Sequence, residues 1–377
     1  MATILMINTV PRDFLHHMEP YIKSLQSLGI RVILVSSGSP KPLELLIDIN
    51  NDYFDSSMSR RPNLFSDISS LIKIFFLIRR IRPDAIHTIS PKAGFLGAIA
   101  GGMAGIPIRV HTFTGQVWAN KKGVSRSMLM MLDKVIGRLC TDTLTDSESQ
   151  RNFLINSKVI PKAKLGVLGN GSVCGVNPER FARNEDVRKA VREELGIDKS
   201  DIVFLYIGRL NKDKGIHDLI DAFGSLDQNL QKCWLLIVGH CEDDEISARL
   251  KDYRGNLIYR DYSPNPENYY WVADVLCLPS YREGFGNVII EGASACLPSM
   301  ASDIYGITDA VERNTSGLLH QPGNIPEIRS CLMYWIENPN KIVTMGLYAR
   351  SRAIEKFNTS YLIKEFIGFY KKIGIKI

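Results

Sequence analysis

The seven cysteines of this 377-residue chain, at positions 140, 174, 233, 241, 277, 296 and 331, form no Cys-x-x-Cys pair and no Cys/His ligand spacing. That excludes a zinc module and a disulfide framework, and an odd, scattered set in apolar surroundings reads as reduced thiols in a reducing compartment. The chain opens on a strand-like apolar run with no signal-peptide pattern ahead of it. Its longest uncharged stretch, residues 93–108, falls short of the ~20 apolar residues of a spanning helix, so a cytoplasmic location is expected. No repeat or low-complexity tract is visible, and 45% hydrophobic with 23% charged residues excludes a disordered or fibrous chain.

Excess charge of one sign is confined to the first half. Residues 1–182 hold 22 basic and 13 acidic side chains, a net of +9, and the remainder carries −3. A basic half attracts nucleic acid, an anionic membrane or a phosphorylated substrate. No nucleic-acid recognition motif accompanies it, so nucleic acid is not expected as a partner.

What is present is alternation. Continuous apolar runs at 3–7, 31–35, 85–88, 109–112 and 141–144 read as buried strands. Helical spacing fills 14–28, 64–81, 91–104 and 125–139 between them. A Gly/Asn/Pro-rich break at 169–181 reads as a linker, after a helix at 186–195 the pattern restarts with strands at 202–207, 234–238, 257–259, 275–278 and 298–301. Helices are expected at 215–226, 244–253, 266–272 and 285–295, and two or three more in the last 50 or so residues. Alternation with uninterrupted apolar strands predicts an α/β protein of two Rossmann-like, doubly wound parallel-sheet domains, with ligand expected at the strands' carboxyl ends in an inter-domain cleft.

Two strand-to-helix loops carry the chemistry. After the strand ending at Leu278 comes a loop with Glu283-Gly284-Phe285-Gly286-Asn287, then a helix expected from about Phe285. First-turn amides are unpaired donors suited to phosphate or sugar oxygens, and the glycines let a ligand approach backbone. Glu291, in the first two turns, is suited to accept hydrogen bonds from a pair of hydroxyls. The plainer reading is an acidic helix start complementing its dipole. After the strand ending at Ile207, Gly208-Arg209 is followed by Lys214-Gly215. An Arg fork and a Lys point charge there suit a diphosphate; the plainer reading is a solvated basic loop. The P-loop spacing is missing, which disfavours NTPase chemistry, and no strand leads into Gly-x-Gly-x-x-Gly, which disfavours a dinucleotide dehydrogenase.

Gly208-Arg209, Lys214-Gly215, and Glu283 with Glu291, separated by seven residues, resemble the donor-site signature of retaining glycosyltransferases of family four, which have the GT-B fold. Residues 87–115 resemble bacterial members that build O-antigen, capsule or lipid-linked oligosaccharides. The resemblance implies an acceptor-binding domain at 1–172, a nucleotide-sugar domain at 173–358 and a C-terminal helix at 359–377 packing back toward the first domain. It implies that Arg209 and Lys214 bind the diphosphate, that Glu291 holds the ribose, and that Glu283 with the Gly284–Asn287 backbone holds the donor sugar. It also implies no cofactor and no metal, in keeping with the lack of any Asp-x-Asp triplet. One departure stands out: many relatives have histidine where this chain reads Thr114, in His111-Thr112-Phe113-Thr114-Gly115. Thr114 is suited to touch a sugar but not to stabilise charge as an imidazole does, and His111 on its strand is either a core residue or an acceptor contact.

Three further features face an acceptor if the fold is right. Arg12 in the loop after the first strand and Lys92 at a helix start are suited to an anionic acceptor, or are simply solvated. Lys73, Arg79, Arg80 and Arg82 flank apolar 74–78, and Arg60-Arg61 and Lys121-Lys122 add charge in the same half. They suit peripheral docking on the inner face of the cell membrane, where a polyprenyl-diphosphate-linked saccharide resides; the alternative is a core helix with a solvated edge. The resulting expectation is a metal-independent, retaining transfer of a hexose or N-acetylhexosamine from a UDP-sugar to a lipid-linked saccharide in O-antigen or capsule synthesis. The alternatives are a non-catalytic sugar-nucleotide-binding subunit of a polysaccharide machine and a UDP-sugar 2-epimerase.

Overall fold

The computed structural model describes residues 2–44, 46–59, 63–226, 233–263 and 265–377. The chain divides into two compact units, Met1–Cys174 with Thr359–Ile377, and Gly175–Asn358.

Unit 1 is built on seven parallel strands: β1 Thr3–Ile7, β2 Arg31–Ser36, β3 Tyr53–Asp55, β4 Ala85–Ile89, β5 Ile108–Phe113, β6 Asp142–Thr145 and β7 Leu165–Val167. Their spatial order is β3-β2-β1-β4-β5-β6-β7. Side chains alternate across a strand, so β1 feeds two cores. Ile4 and Met6 join Tyr21, Phe366 and Tyr370, whereas Leu5 and Ile7 join Ile74, Leu77 and Ile78 of the Leu64–Ile81 helix. Both faces of the sheet are thus covered, which is why its strands are apolar throughout rather than alternating.

The terminal helix, Thr359–Lys372, belongs to unit 1. Phe366 lies 4.5 Å from Tyr21 between ring centroids, and the Tyr370 hydroxyl is 2.7 Å from His87 Nδ1 in β4. His87 Nε2 in turn is 2.8 Å from Thr112 Oγ1 in β5, so one buried chain of polar atoms ties two strands to this helix.

Unit 2 repeats the plan with six parallel strands: β8 Ile202–Ile207, β9 Cys233–Val238, β10 Leu257–Arg260, β11 Val275–Leu278, β12 Ser299–Ser302 and β13 Gly317–His320. The order is β10-β9-β8-β11-β12-β13. Central β8 sends Val203, Leu205 and Ile207 into one core and Ile202, Phe204 and Tyr206 into the other.

The stretch expected as one helix at 14–28 is broken: Phe14–Met18 is a widened π turn and the regular helix is Glu19–Ser27. Pro20 has no N–H to continue the ladder, which accounts for the break. Within the apolar run 74–78, Ile74, Leu77 and Ile78 are buried against the core, the second reading of this helix, whereas Phe76 is 65% exposed. Arg60 and Arg61 lie outside the described residues.

Candidate functional site

In unit 2 the chain winds one way from β8 through β9 to β10 and the other way from β11 to β13. Neighbours β8 and β11 are therefore the topological switch point, where the two outgoing loops separate and leave room for a ligand. The donor-site residues named from the sequence stand on those two loops and on the helix that follows the second.

The first loop leaves β8 through Gly208, whose amide bonds the Val238 carbonyl at 3.0 Å. The Tyr206 hydroxyl donates to the Arg209 carbonyl at 2.8 Å and fixes the backbone there. The Arg209 side chain is 61% exposed and pairs with both Glu242 oxygens at 3.1 and 3.2 Å; Asn211 Nδ2 donates to the same carboxylate at 2.9 Å. A single turn, Lys212–Lys214, then carries the chain to Gly215 at φ +66°. A Cβ on Gly215 would lie 2.0 Å from the Pro279 carbonyl oxygen, so only glycine lets this loop abut the next. The two loops are stitched where the Tyr281 amide donates to the Asp213 carbonyl at 2.9 Å.

That contact brings the two charges together. Lys214 Nζ lies 2.6 Å from Glu283 Oε1, and Ser280 Oγ donates to the same oxygen at 2.8 Å. The helix begins at Asn287, two residues later than the spacing predicts, because Gly286 at φ +85° forms the turn ahead of it. Phe285 is 2% exposed and packs 5.0 Å from Phe357, which leaves only its backbone for a ligand. Glu291, in the second turn, accepts from the Tyr270 hydroxyl at 2.6 Å. Burial pushes its carboxyl above the usual range, and the Tyr270 hydrogen bond works against that rise. Sequence reasoning missed Tyr270, Ser280 and Glu242. Ser280 alone had a signal, its position just past the end of β11.

Unit 1 has its own switch point between β1 and β4. Thr9 Oγ1 and Ser90 Oγ meet there at 2.8 Å, joining the loops that carry Arg12 and Lys92. Arg12 is exposed. Lys92 Nζ is 2.8 Å from Asp67 Oδ1, so a carboxylate already meets its charge. Thr114 is exposed just past the carboxyl end of β5, followed by Gly115 at φ +93°. His111 is 1% exposed, with Nδ1 2.8 Å from Thr88 Oγ1, and a Cβ on Gly94 would strike its ring. Its surroundings are those of a core residue, and an acceptor could reach it only by opening the sheet.

Among the described residues one group, His217, Asp243 and Glu245, brings three ligand-type atoms within 4.8 Å of one another. Arg249 Nη1 is 3.0 Å from His217 Nδ1 and Lys212 Nζ is 3.5 Å from Glu245, and two cations beside the group oppose binding a third. No described helix is long and apolar enough to cross a membrane.

The comparisons with known proteins agree with this fold. The family described as Glycosyltransferase Family 4 matches residues 17–173, and Glycosyl transferases group 1 matches residues 187–352. The capsular polysaccharide biosynthesis glycosyltransferase CapM of Staphylococcus aureus is 30% identical over 317 residues, 83% of each chain. The UDP-Gal:alpha-D-GlcNAc-diphosphoundecaprenol alpha-1,3-galactosyltransferase of Escherichia coli is 26% identical over 88% of this chain and 86% of the relative. Among solved structures, Anabaena Alr3699/HepE in complex with UDP and glucose superposes with a TM-score of 0.82 at 16% identity, covering 99% of this chain and 100% of that one. Sucrose-phosphate synthase from Thermosynechococcus elongatus does so at 0.81 and 18% identity, covering 99% of each. With both halves matched in order and a relative at 30% identity over most of its length, the chain belongs to the family 4 glycosyltransferases and has the GT-B fold.

Proposed function

We propose that this glycosyltransferase moves a hexose or N-acetylhexosamine from a UDP-sugar to a lipid-linked saccharide, with retention and without a metal ion, in cell-surface polysaccharide assembly at the inner face of the cell membrane. The observation that carries the reading is the placing of Arg209 and Lys214 on the loop after β8 and of Glu283 and the Glu291 helix after neighbouring β11, with Lys214 and Glu283 in contact. In this reading the two side-chain cations take the part that a divalent ion plays in other transferases, neutralising the departing diphosphate. Glu291, pinned by Tyr270, offers a carboxylate to the two ribose hydroxyls, and Glu283 with the backbone of 284–287 offers acceptors and donors to the sugar.

In the proposed step the bond between the anomeric carbon and the diphosphate oxygen breaks, and its electron pair leaves with UDP. Arg209 and Lys214 stabilise that growing negative charge. The acceptor hydroxyl oxygen bonds the anomeric carbon on the face just vacated, and its proton passes to the departing phosphate oxygen. No strong protein base is needed, which suits a chain with threonine at position 114. Thr114 is the proposed sugar contact of unit 1, and Arg12 the proposed contact of the acceptor's phosphate; Lys92 reaches it only by exchanging Asp67 for that phosphate. The UDP-sugar donor and diphosphate-lipid acceptor in the name of the Escherichia coli relative, and the capsule in that of the Staphylococcus aureus relative, support this choice of substrates.

The test is incubation of the purified chain with a panel of UDP-sugars and polyprenyl-diphosphate saccharides in the presence of a chelator, with products read by mass spectrometry and anomeric configuration by NMR. A lipid product one sugar heavier, with the donor's configuration, supports the reading. A free epimerised sugar, or UDP-sugar bound without turnover, replaces it.

A further inference from the structure

Residues 114–122 link β5 to the Gly123–Leu139 helix and carry Thr114 at their start. Such a link ordinarily runs over the surface with its side chains in water. Here Gln116 and Trp118 are each 1% exposed, while Thr114, Val117, Lys121 and Lys122 stay outside. Alternate side chains thus insert the loop into unit 1 instead of laying it across the surface.

One face of the Glu148–Asn156 helix, which follows β6, receives both inserted side chains. Gln150 Nε2 donates to Gln116 Oε1 at 3.2 Å, and Phe153 stacks on the Trp118 ring with centroids 5.0 Å apart. Residues three apart share a helix face, so a single element meets the loop at two points. From the Gly123–Leu139 helix, buried Asp133 accepts from Trp118 Nε1 at 2.7 Å, and Arg126 Cζ lies 5.7 Å from the ring centroid.

The plainer account of Gln150 is a helix cap, since Ser147 and Gln150 have the spacing of a capping box. Ser147 Oγ accepts from the Gln150 amide at 3.2 Å, and Gln150 Oε1 accepts from the Asp146 amide at 2.8 Å. The cap uses only that oxygen. A backbone N–H faces it, so the nitrogen of the side chain is left to donate to the loop. An ionised glutamate would serve the cap equally but has no proton for Gln116. Buried amides bond only in one register, where apolar side chains would tolerate sliding, so this network fixes where the loop sits.

We propose that Gln150 and the Trp118–Asp133 pair are positioning residues for the transfer. They latch the 114–122 loop from two helices and so hold Thr114 at the carboxyl end of β5. The inference rests on the proposed sugar contact of Thr114 and goes beyond it by assigning buried residues that act through that contact.

The test compares the full chain with its Gln150→Leu and Trp118→Phe variants, which release the loop from different sides. Its first readout needs no activity: trypsin cleavage after Lys121 or Lys122, exposed at the end of the loop. Both variants are expected to be cut about 10-fold faster or more than the wild type well below their melting temperatures, through local opening of the loop. The second readout is transfer. Gln150→Leu is expected to lower kcat about 10-fold through misplacement of Thr114, with UDP affinity unchanged. In a Thr114→Ala chain the same substitution is expected to cost less than about twofold, because residues acting through one another are not additive. Cleavage at the wild-type rate in both variants overturns the proposal, as does a loss in kcat repeated in full in the Thr114→Ala chain. A wild-type kcat for Thr114→Ala overturns it too and leaves the transfer reading intact. If no donor supports transfer by the wild-type chain, the proposed function falls, and the cleavage rates alone decide the latch.

Discussion

Lys214 and Glu283, 69 residues apart in sequence, meet at 2.6 Å between Nζ and Oε1, with side chains only 21% and 12% exposed. The pair holds the ammonium at the mouth of β8 and aims the carboxylate along the β11 loop, with Ser280 as a second tether. Under the proposed mechanism the ammonium matters most as the diphosphate leaves. Lys214→Ala should lower kcat by roughly 10²-fold or more while changing KM for the donor much less. Steady-state kinetics on the variant checks this, and a wild-type kcat would take Lys214 out of the mechanism.

Glu291 should act on nucleotide affinity rather than on the chemical step. Glu291→Ala is expected to weaken UDP binding about 10-fold or more in calorimetry and to leave inorganic pyrophosphate binding unchanged. Tyr270→Phe keeps the carboxylate but removes the donor that favours its charged form. The Glu291 carboxyl, already raised by burial, should rise further, so the acid-side loss of UDP affinity in Tyr270→Phe should begin at higher pH than in the wild type. Identical pH profiles would show that the hydroxyl does not tune this group.

How much of this was legible in the sequence follows from the kind of signal each feature leaves. The strands β1 and β8 and the Leu64–Ile81 helix run between the predicted ends, because each is a sustained apolar pattern bounded by a polar or turn residue, and four-residue β11 does so because it is apolar throughout and leads into the Pro279 loop. Strands β3, β7 and β13 have three or four residues each, too few to show a period, and the Glu148–Asn156 helix is mostly polar. Glycines and charges announced the two site loops. Tyr270 and Glu242 reach the site from other elements, and nothing local marks them. The Leu64–Ile81 helix shows what hydropathy leaves open: it is apolar on two sides, and only packing reveals that Ile74 and Ile78 point inward while Phe65 and Phe76 point out.

Gly215 is expected to be irreplaceable where Gly196 is not. Both have left-handed backbones, at φ +66° and +70°, so a side chain at either costs about 1–2 kcal/mol. Gly196 has open space around its Cβ direction, whereas Gly215 faces the Pro279 carbonyl at 2.0 Å. Gly196→Ala should lose that conformational increment alone and bind UDP normally. Gly215→Ala should lose it plus about 1–3 kcal/mol of overpacking and force the β8 and β11 loops apart, weakening UDP binding as well. Denaturant titration and calorimetry on the two variants make the comparison, and equal UDP affinities would mean the loops need not touch.

Unit 1 should lose stability as pH falls through the histidine range, and the sign can be worked out group by group. Burial holds both His87 and His111 neutral, each pushed down to about 3, with the neighbouring His87 adding to the shift of His111. In the unfolded chain both titrate near about 6.5, so there the unfolded state binds more protons. Their stabilising effect is complete above about pH 6.5 and declines on acidification, each by about 1.4 kcal/mol per pH unit, until the folded value is reached. Asp133 opposes this: burial pushes it up to about 6, so the folded state binds its proton first and gains as pH falls from about 6 toward about 4. Two losses against one gain leave a net decline of about 1.4 kcal/mol per unit from these three groups over that window. Replacing Asp133 by Asn should therefore roughly double the slope, and His87→Gln should flatten it. Urea unfolding of the wild type and both variants at several pH values measures the three slopes. A wild-type slope unchanged by either substitution would mean that these groups exchange protons with solvent in the folded state.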